Sequence, residues 1–142
     1  MTHVYIKGIA LGTKGACALC VKSDGRDAVM RSKSFDGILP TRYGGIDMID
    51  GKGCYQTELY ALVWSMTLIP PTGVVKVHTS SIVILDWVKE RYATADYRSL
   101  FDIYLRLSEN RDVRPEALVP GSNRTMNKVV DLALERCGEI GI

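Results

Sequence analysis

The stretch that decides the fold is VYIKGIALGTKG at residues 4–15. A strand predicted over residues 3–11 runs into a bend punctuated by glycines at positions 8, 12 and 15. A second apolar strand is predicted over residues 15–22, across that bend. The tetrapeptide SDGR at residues 23–26 indicates a hairpin turn, because Asp-Gly tolerates the positive φ angles of a tight turn. With a third strand over residues 27–35, the sequence predicts a three-stranded antiparallel meander.

Helical patterns dominate the chain after a glycine-rich stretch at residues 36–54, which is predicted to be a long surface loop. An amphipathic stripe with i, i+3, i+4 and i+7 spacing begins at Leu59, directly after Glu58, and the two prolines at 70–71 end this helix. Residues 74–79 are mostly β-branched and flanked by helical sequence. That pattern is typical of a strand buried within an α/β sheet.

The remaining elements follow the same alternation of strand and helix. Ser80 or Ser81 is predicted to cap a helix that extends to residue 91, and another helix begins near Tyr97. A short strand over residues 116–119 precedes a last helix over residues 126–137. This order predicts a single α/β domain over residues 1–142, in which a mixed five-stranded sheet, the meander plus two further strands, is flanked by helices.

Composition narrows the functional classes. The chain has 142 residues and a formal net charge of +2, which gives no electrostatic case for non-specific nucleic-acid binding. No stretch has the length and apolar character of a membrane span, and the N-terminus enters a strand almost at once rather than resembling a secretory signal. We therefore expect a cytoplasmic protein without a membrane partner.

The spacing of Cys17 and Cys20 resembles a metal-binding CxxC motif, but both residues lie in a predicted strand. Positions three apart in a strand point to opposite faces, so the two thiols cannot share one metal ion. No second CxxC motif or histidine pair completes a zinc set. Cys17, Cys20, Cys54 and Cys137 are therefore predicted to be buried free thiols.

The order of elements and the three glycines of the first bend resemble ribonuclease H, whose first strand ends in Asp-Gly-Ser-x-x-Gly-Asn-x-Gly. Gly8, Gly12 and Gly15 fall in register with that stretch. The resemblance implies the ribonuclease H fold, in which four carboxylates hold two magnesium ions for hydrolysis of the RNA strand of a hybrid. Lys7, however, stands at the position of the first metal-binding aspartate.

Two of the other family carboxylates are present. Glu58 in QTEL corresponds to the glutamate of the family's Asn-Arg-x-Glu-Leu, and Asp131 in NKVVD corresponds to the aspartate of Asn-Glu-x-Ala-Asp. Thr79 in VHTSS is set on the family's third aspartate, at the end of the fourth strand. The family often has a mobile histidine after a Val-x-Gly run, and Ser122 follows that run here. The resemblance thus implies five site positions, three of them substituted.

These substitutions change the predicted chemistry. Two carboxylates close together repel each other unless a cation lies between them, and magnesium is that cation in the enzymes. If Lys7 points at Glu58 and Asp131, its ammonium group can take this role as a structural ion pair. A protonated lysine cannot coordinate magnesium, and Thr79 offers only a neutral oxygen. The sequence therefore predicts that the site holds no metal and needs no cofactor.

Three functional hypotheses follow. The first is a catalytically degenerate ribonuclease H-like module, closer to a binding protein than to an enzyme, that binds nucleic acid such as an RNA–DNA hybrid, or a protein partner. The second is an active magnesium-dependent nuclease with a rearranged site that recruits Asp36, Asp47 or Asp50. The third is a protein-binding scaffold or inhibitor that has kept only the architecture. Fold alone does not separate them, since one architecture hosts many functions.

Overall fold

The computed structural model describes residues 1–11, 14–35, 54–119 and 121–140. Its elements are β1 (Thr2–Leu11), β2 (Lys14–Ser23), β3 (Val29–Phe35), α1 (Tyr55–Met66), β4 (Gly73–Thr79), α2 (Ile82–Glu90), a 3₁₀ turn (Ala95–Tyr97), α3 (Arg98–Leu107), β5 (Arg111–Ala117) and α4 (Arg124–Ile140). This is the order predicted from the sequence. Gly12 and three acids of the predicted loop, Asp36, Asp47 and Asp50, lie outside the described residues.

The strands form one mixed sheet in the order β3-β2-β1-β4-β5. The first three strands pair antiparallel, whereas β4 runs parallel to both β1 and β5. At the predicted hairpin, the Arg26 N–H donates to the Ser23 carbonyl at 3.2 Å, and Gly25 has a φ of 73°. Glycine adopts that left-handed conformation without the steric cost that a Cβ would add. The antiparallel meander is therefore confirmed.

Each face of the sheet carries its own core. The α1 face is covered by α1, α2 and α3, whose apolar residues pack on Val4, Ile6, Val75 and Val77. The other face, the α4 face, is covered by α4 over β1, β2 and β3. Successive side chains of a strand point to opposite faces, so the single central strand β1 contributes to both cores. Among the described residues, no helix is long and apolar enough to cross a membrane.

Small residues on β2 let α4 approach the sheet closely. Ala16, Ala18 and Cys20 are fully or almost fully buried beneath α4, whereas Cys17 lies in the core of the α1 face. Cys17 and Cys20 therefore occupy opposite faces, as the strand periodicity predicted. All four cysteines are buried, and none of them forms a disulfide. Burial raises the pKa of the Cys17 thiol to about 12, which keeps it protonated and unreactive.

The bounds of the last strand differ from the sequence prediction. We expected a strand over residues 116–119, but β5 spans Arg111–Ala117 and includes Pro115 opposite Val77. A proline has no N–H to donate and normally argues against a central strand. It is accommodated here because β5 lies at the edge of the sheet and has one partner strand. The proline led the sequence prediction to start the strand too late.

Gly8 brings α1 against the central strand. A Cβ at this position would overlap the backbone nitrogen of Glu58 and the hydroxyl of Thr57. The Cys54 N–H donates to the Gly8 carbonyl at 3.0 Å, which fixes the residue that precedes α1 on the edge of β1. The first turn of α1 is therefore seated on a position of β1 where only glycine fits.

We expect Gly8→Ala to lower the free energy of unfolding by about 3 kcal/mol, because the new methyl group meets backbone atoms that cannot move independently. Urea denaturation followed by circular dichroism measures this loss. Gly138→Ala is the matched control: Gly138 lies in α4 with no atom within 4 Å of an added Cβ. It should raise stability by about 0.5–1 kcal/mol. A Gly8→Ala protein as stable as wild type would contradict the close approach of α1.

Candidate functional site

The central strands part at their carboxyl ends. β1 pairs with β4 only from Thr2 to Tyr5, opposite Val75 to His78, whereas β1 continues along β2 as far as Leu11. We call this short parallel pairing the β1–β4 seam. Beyond it, the edge of β1 faces the start of α1, which occupies the opening. Ligands of open α/β sheets bind outside the carboxyl ends of the strands, so this opening is the candidate site.

Glu58 and Thr79 meet in the opening. Glu58 lies in the first turn of α1 and Thr79 ends β4, and both side chains are 0 % exposed. The Thr79 hydroxyl donates to Glu58 Oε1 at 2.5 Å, and Thr79 Oγ1 accepts the Ser81 N–H at 3.0 Å. One hydroxyl group therefore joins the starts of α1 and α2 to the end of β4. The first turn of a helix also favours a carboxylate through the helix dipole.

Lys7 is also buried, with 3 % of its surface exposed. It pairs with Ala18 of β2, and strand alternation places it on the α4 face with Tyr5 and Ile9. A lysine is very rarely buried to this extent unless an anion or acceptor receives its ammonium group. A buried lysine side chain thus lies at the position that the resemblance sets on the first metal ligand of ribonuclease H.

Asp131 and Ser122 differ from the other three positions because both are exposed. On α4, Val129 and Ala133 pack on the sheet, and Asp131 lies about 200° around the helix from Val129. Ser122 donates its hydroxyl to the Val119 carbonyl at 2.6 Å in the turn before α4. The structure therefore brings Glu58 and Thr79 into contact, and it leaves Asp131 on the solvent side of α4. A pairing of Lys7 with Asp131 stays a prediction.

The start of α2 decides between the two caps that the sequence predicted. Ser81 and not Ser80 is the N-cap, because its hydroxyl accepts the Ile84 N–H at 3.3 Å. Thr79-Ser80-Ser81 can be matched residue for residue to the family's Thr-Asp-Ser, which moves the aspartate position from Thr79 to the half-buried Ser80. The sequence alone left the choice open, because the hydroxyl group of either serine can cap a helix. In both registers, the end of β4 offers a hydroxyl group and no carboxylate.

This donor set does not fit a pair of magnesium ions. Magnesium requires several hard oxygen ligands in near-octahedral geometry, and a lysine ammonium group can only donate. Glu58 accepts the Thr79 proton, so one of its oxygens already serves a hydrogen bond within the protein. In the part of the chain that the structure describes, no group of three or more His, Cys, Asp or Glu residues is arranged to hold a metal ion.

We expect Thr79→Val to lower the free energy of unfolding by about 2–3 kcal/mol, because the buried Glu58 carboxyl loses a donor and the Ser81 N–H loses its acceptor. Chemical denaturation at neutral pH measures the change. Thr67→Val is the matched control, since the Thr67 hydroxyl donates to the Trp64 carbonyl on the exposed end of α1, where water can replace it. Equal, small effects of the two substitutions would show that the Glu58–Thr79 bond carries no stability.

No protein-family model matches the chain, and no curated protein matches it. Solved structures do. The chain is similar to ribonuclease H1 of the halophilic archaeon Halobacterium salinarum NRC-1, with a TM-score of 0.69 and 16 % identity over 97 % of this chain and 98 % of that one. It is also similar to LC11-RNase H1, solved in complex with an RNA/DNA hybrid, with a TM-score of 0.66 and 13 % identity over 96 % and 98 % of the two chains.

A third similar structure is the N-terminal ribonuclease H domain of Rv2228c from Mycobacterium tuberculosis, solved as a fusion with maltose-binding protein. The TM-score is 0.66, and the identity is 13 % over 95 % of this chain and 98 % of that one. The likeness spans nearly the whole chain in all three comparisons, and the sheet order and flanking helices agree with it. The chain therefore has a ribonuclease H-like α/β fold.

Proposed function

We propose that this chain is a catalytically degenerate ribonuclease H-like module that binds nucleic acid, with an RNA–DNA hybrid as the preferred ligand. The observation that carries the proposal is the buried hydrogen bond between Thr79 and Glu58. Through this bond Glu58, the glutamate that ribonuclease H also has, helps to join α1, β4 and the start of α2. Its carboxyl group is thus engaged within the protein and is not left open to a metal ion.

Lys7 supports the loss of cleavage chemistry. Two-metal hydrolysis requires carboxylates that converge on two cations and activate a water molecule between them. A buried ammonium group at the first ligand position repels a dication and supplies no lone pair. The other site position on the β strands is occupied by a threonine or, in the second register, by a serine. The chain's own residues thus favour a site that is held together by protein groups alone.

The shape of the fold supports nucleic acid as the ligand. LC11-RNase H1, whose match covers 96 % of the present chain, was solved with an RNA/DNA hybrid. A formal net charge of +2 provides little non-specific attraction to phosphates, so binding by this chain should depend on duplex geometry more than on charge. Recognition of a double helix by shape and by 2′-hydroxyl contacts is compatible with a nearly neutral protein.

The other two hypotheses predict different outcomes in one experiment. Fluorescence anisotropy is measured with labelled hybrid, double-stranded DNA and single-stranded RNA, each in magnesium and in EDTA. We expect the hybrid to bind with an affinity that differs less than about twofold between magnesium and EDTA, and to remain intact on a denaturing gel. The salt dependence should correspond to few phosphate contacts.

Two results would contradict the proposal. Magnesium-dependent cleavage of the hybrid that Glu58→Gln abolishes would show an active nuclease, with acids such as Asp36, Asp47 or Asp50 completing its site. Absence of binding to all three probes, for a protein with a cooperative thermal transition, would favour a protein-binding scaffold. Thr67→Val serves as a folded control in every assay. Thr67 lies at the C-terminal end of α1, far from the opening, which faces the first turn of that helix.

Restoring the missing acids tests the site directly and distinguishes the two registers at the end of β4. Lys7→Asp is combined with either Thr79→Asp or Ser80→Asp, and the thermal midpoint is measured in EDTA and in magnesium. Added carboxylates repel one another without metal, so both double variants should be less stable than wild type in EDTA. Magnesium should stabilise the variant whose four acids converge, because a ligand of the folded state raises the midpoint.

We expect the wild-type midpoint to be independent of magnesium. Recovery by the Thr79→Asp combination supports the register implied by the sequence, and recovery by the Ser80→Asp combination supports the register suggested by the Ser81 cap. If neither folded double variant responds to magnesium, the positions do not converge and the alignment with the family site is wrong.

A further inference from the structure

The chain contains two histidines, and the fold places them against each other. His3 lies on β1 and His78 on β4, and both belong to the β1–β4 seam. His3 Nδ1 is 2.9 Å from His78 Nε2, and His78 is 6 % exposed. Both rings lie on the face of the sheet that is opposite to the Glu58–Thr79 bond, since His78 precedes Thr79 directly in the strand.

The geometry of this pair is that of a shared proton. The ring planes differ by 17° and the centroids are 5.2 Å apart. That separation is what two nearly coplanar rings show when they meet edge to edge through their nitrogens. The N–H of one ring then points at the nitrogen lone pair of the other along one line. A metal ion on that line needs about 2 Å to each nitrogen, which 2.9 Å in total does not provide.

The groups around the pair favour one arrangement of its protons. Glu116 on β5 has its Oε2 at 3.7 Å from His78 Nδ1, and its Oε1 forms a salt bridge with Lys76 Nζ at 3.1 Å. Tyr5 stacks on the other side of His78 with ring centroids 4.5 Å apart. A carboxylate beside Nδ1 favours the tautomer with hydrogen on that nitrogen. In that tautomer, Nε2 of His78 accepts a hydrogen bond from His3 Nδ1, while Glu116 acts on His78 Nδ1 as a nearby charge at 3.7 Å and not through a hydrogen bond.

Other charged groups near the pair are engaged elsewhere. Lys22 of β2, opposite His3 in register, donates to Thr125 of α4 at 2.6 Å. On β5, Arg114 and Asp112 pair with each other at 2.8 Å. From α4, Lys128 acts electrostatically on Cys20, which pairs with Tyr5 in register. Lys76 is the lysine that acts on His78 itself, and Glu116 is the carboxylate within 4 Å of that ring among the described residues.

We propose that His3 and His78 form a proton-controlled latch on the β1–β4 seam, closed while the pair holds at most one proton between the facing nitrogens and released when both of these nitrogens are protonated. A proton on each facing nitrogen sets N–H against N–H, and the 2.9 Å contact must then break. The seam ends at Tyr5 and His78, so release loosens the strands just before Lys7 and Thr79. This device is independent of whether the opening binds nucleic acid.

The direction of the pH effect follows from His78. Burial lowers the pKa of its imidazole below the ordinary value of 6.5, and Glu116 opposes that effect less strongly. The unfolded chain therefore takes up a proton at a pH where the folded chain does not. Stability is fully present above about pH 6.5 and is lost as the pH falls through the lower folded-state pKa. Carboxylates titrate mostly below about pH 5, so the window for histidine is separable.

The test measures urea unfolding from about pH 8 to about pH 5. For one proton, the unfolding equilibrium constant should rise up to about tenfold per pH unit below pH 6.5. The double variant with His3→Gln and His78→Gln should lose this dependence, because glutamine does not titrate. Glu116→Gln should move the titration midpoint of His78 to lower pH, since the carboxylate favours the charged ring. Asp112→Asn on the same strand, paired with Arg114, is the matched control and should leave it unchanged.

Nitrogen-15 NMR of the wild-type protein tests the latch without any substitution. At about pH 7.5, both rings should show the Nδ1–H tautomer, with a coupled titration as the pH falls. Independent titration of two Nε2–H rings, with no loss of stability below pH 6.5, would overturn the proposal. A stoichiometric rise in thermal midpoint on adding zinc, absent in His3→Gln, would also overturn it, because a metal and not a proton would then occupy the pair.

Discussion

The rest of the structure depends on the contact between the first turn of α1 and Gly8 of the central strand. With no Cβ on Gly8, the backbone at Glu58 reaches β1 itself, and the Cys54 N–H completes a hydrogen bond on the open strand edge. This approach brings a glutamate from outside the sheet to the end of β4. A longer distance between α1 and β1 would leave the Thr79 hydroxyl without its carboxyl acceptor. One missing methyl group thus sets the geometry of the candidate site.

The pairing of β1 with β4 is short, and this determines where polar side chains lie on both faces of the sheet. Four residue pairs hold the two strands together before they diverge. On the α4 face, the seam carries the histidines and Tyr5. On the α1 face, the divergence opens the space that Glu58 and Thr79 fill. We expect a change in the seam to reach the opening through adjacent residues of the same strands, because His78 directly precedes Thr79.

Local sequence patterns predicted the fold well, because each element is consistent with its own periodicity and with the turn chemistry beside it. The meander, the buried strand ended by Thr79 and the last helix all appear as expected. Pro115 misled the prediction of β5, since a pattern does not reveal that a strand lies at the edge of a sheet. The Glu58–Thr79 contact was reachable through the family register alone. The histidine pair was not, because His3 and His78 meet only through a parallel crossover.

Retention of Glu58 has a structural explanation that does not require catalysis. A carboxylate in the first turn of a helix is stabilised by the helix dipole, and this one also accepts a hydroxyl proton from the end of β4. Loss of metal chemistry would therefore leave selection for folding at this position, whereas Asp131, on the exposed side of α4, has no comparable contact within the described core. The family acids separate by what they do for the fold. Packing alone can explain a glutamate with these contacts, so its presence in a sequence is weak evidence for nuclease activity.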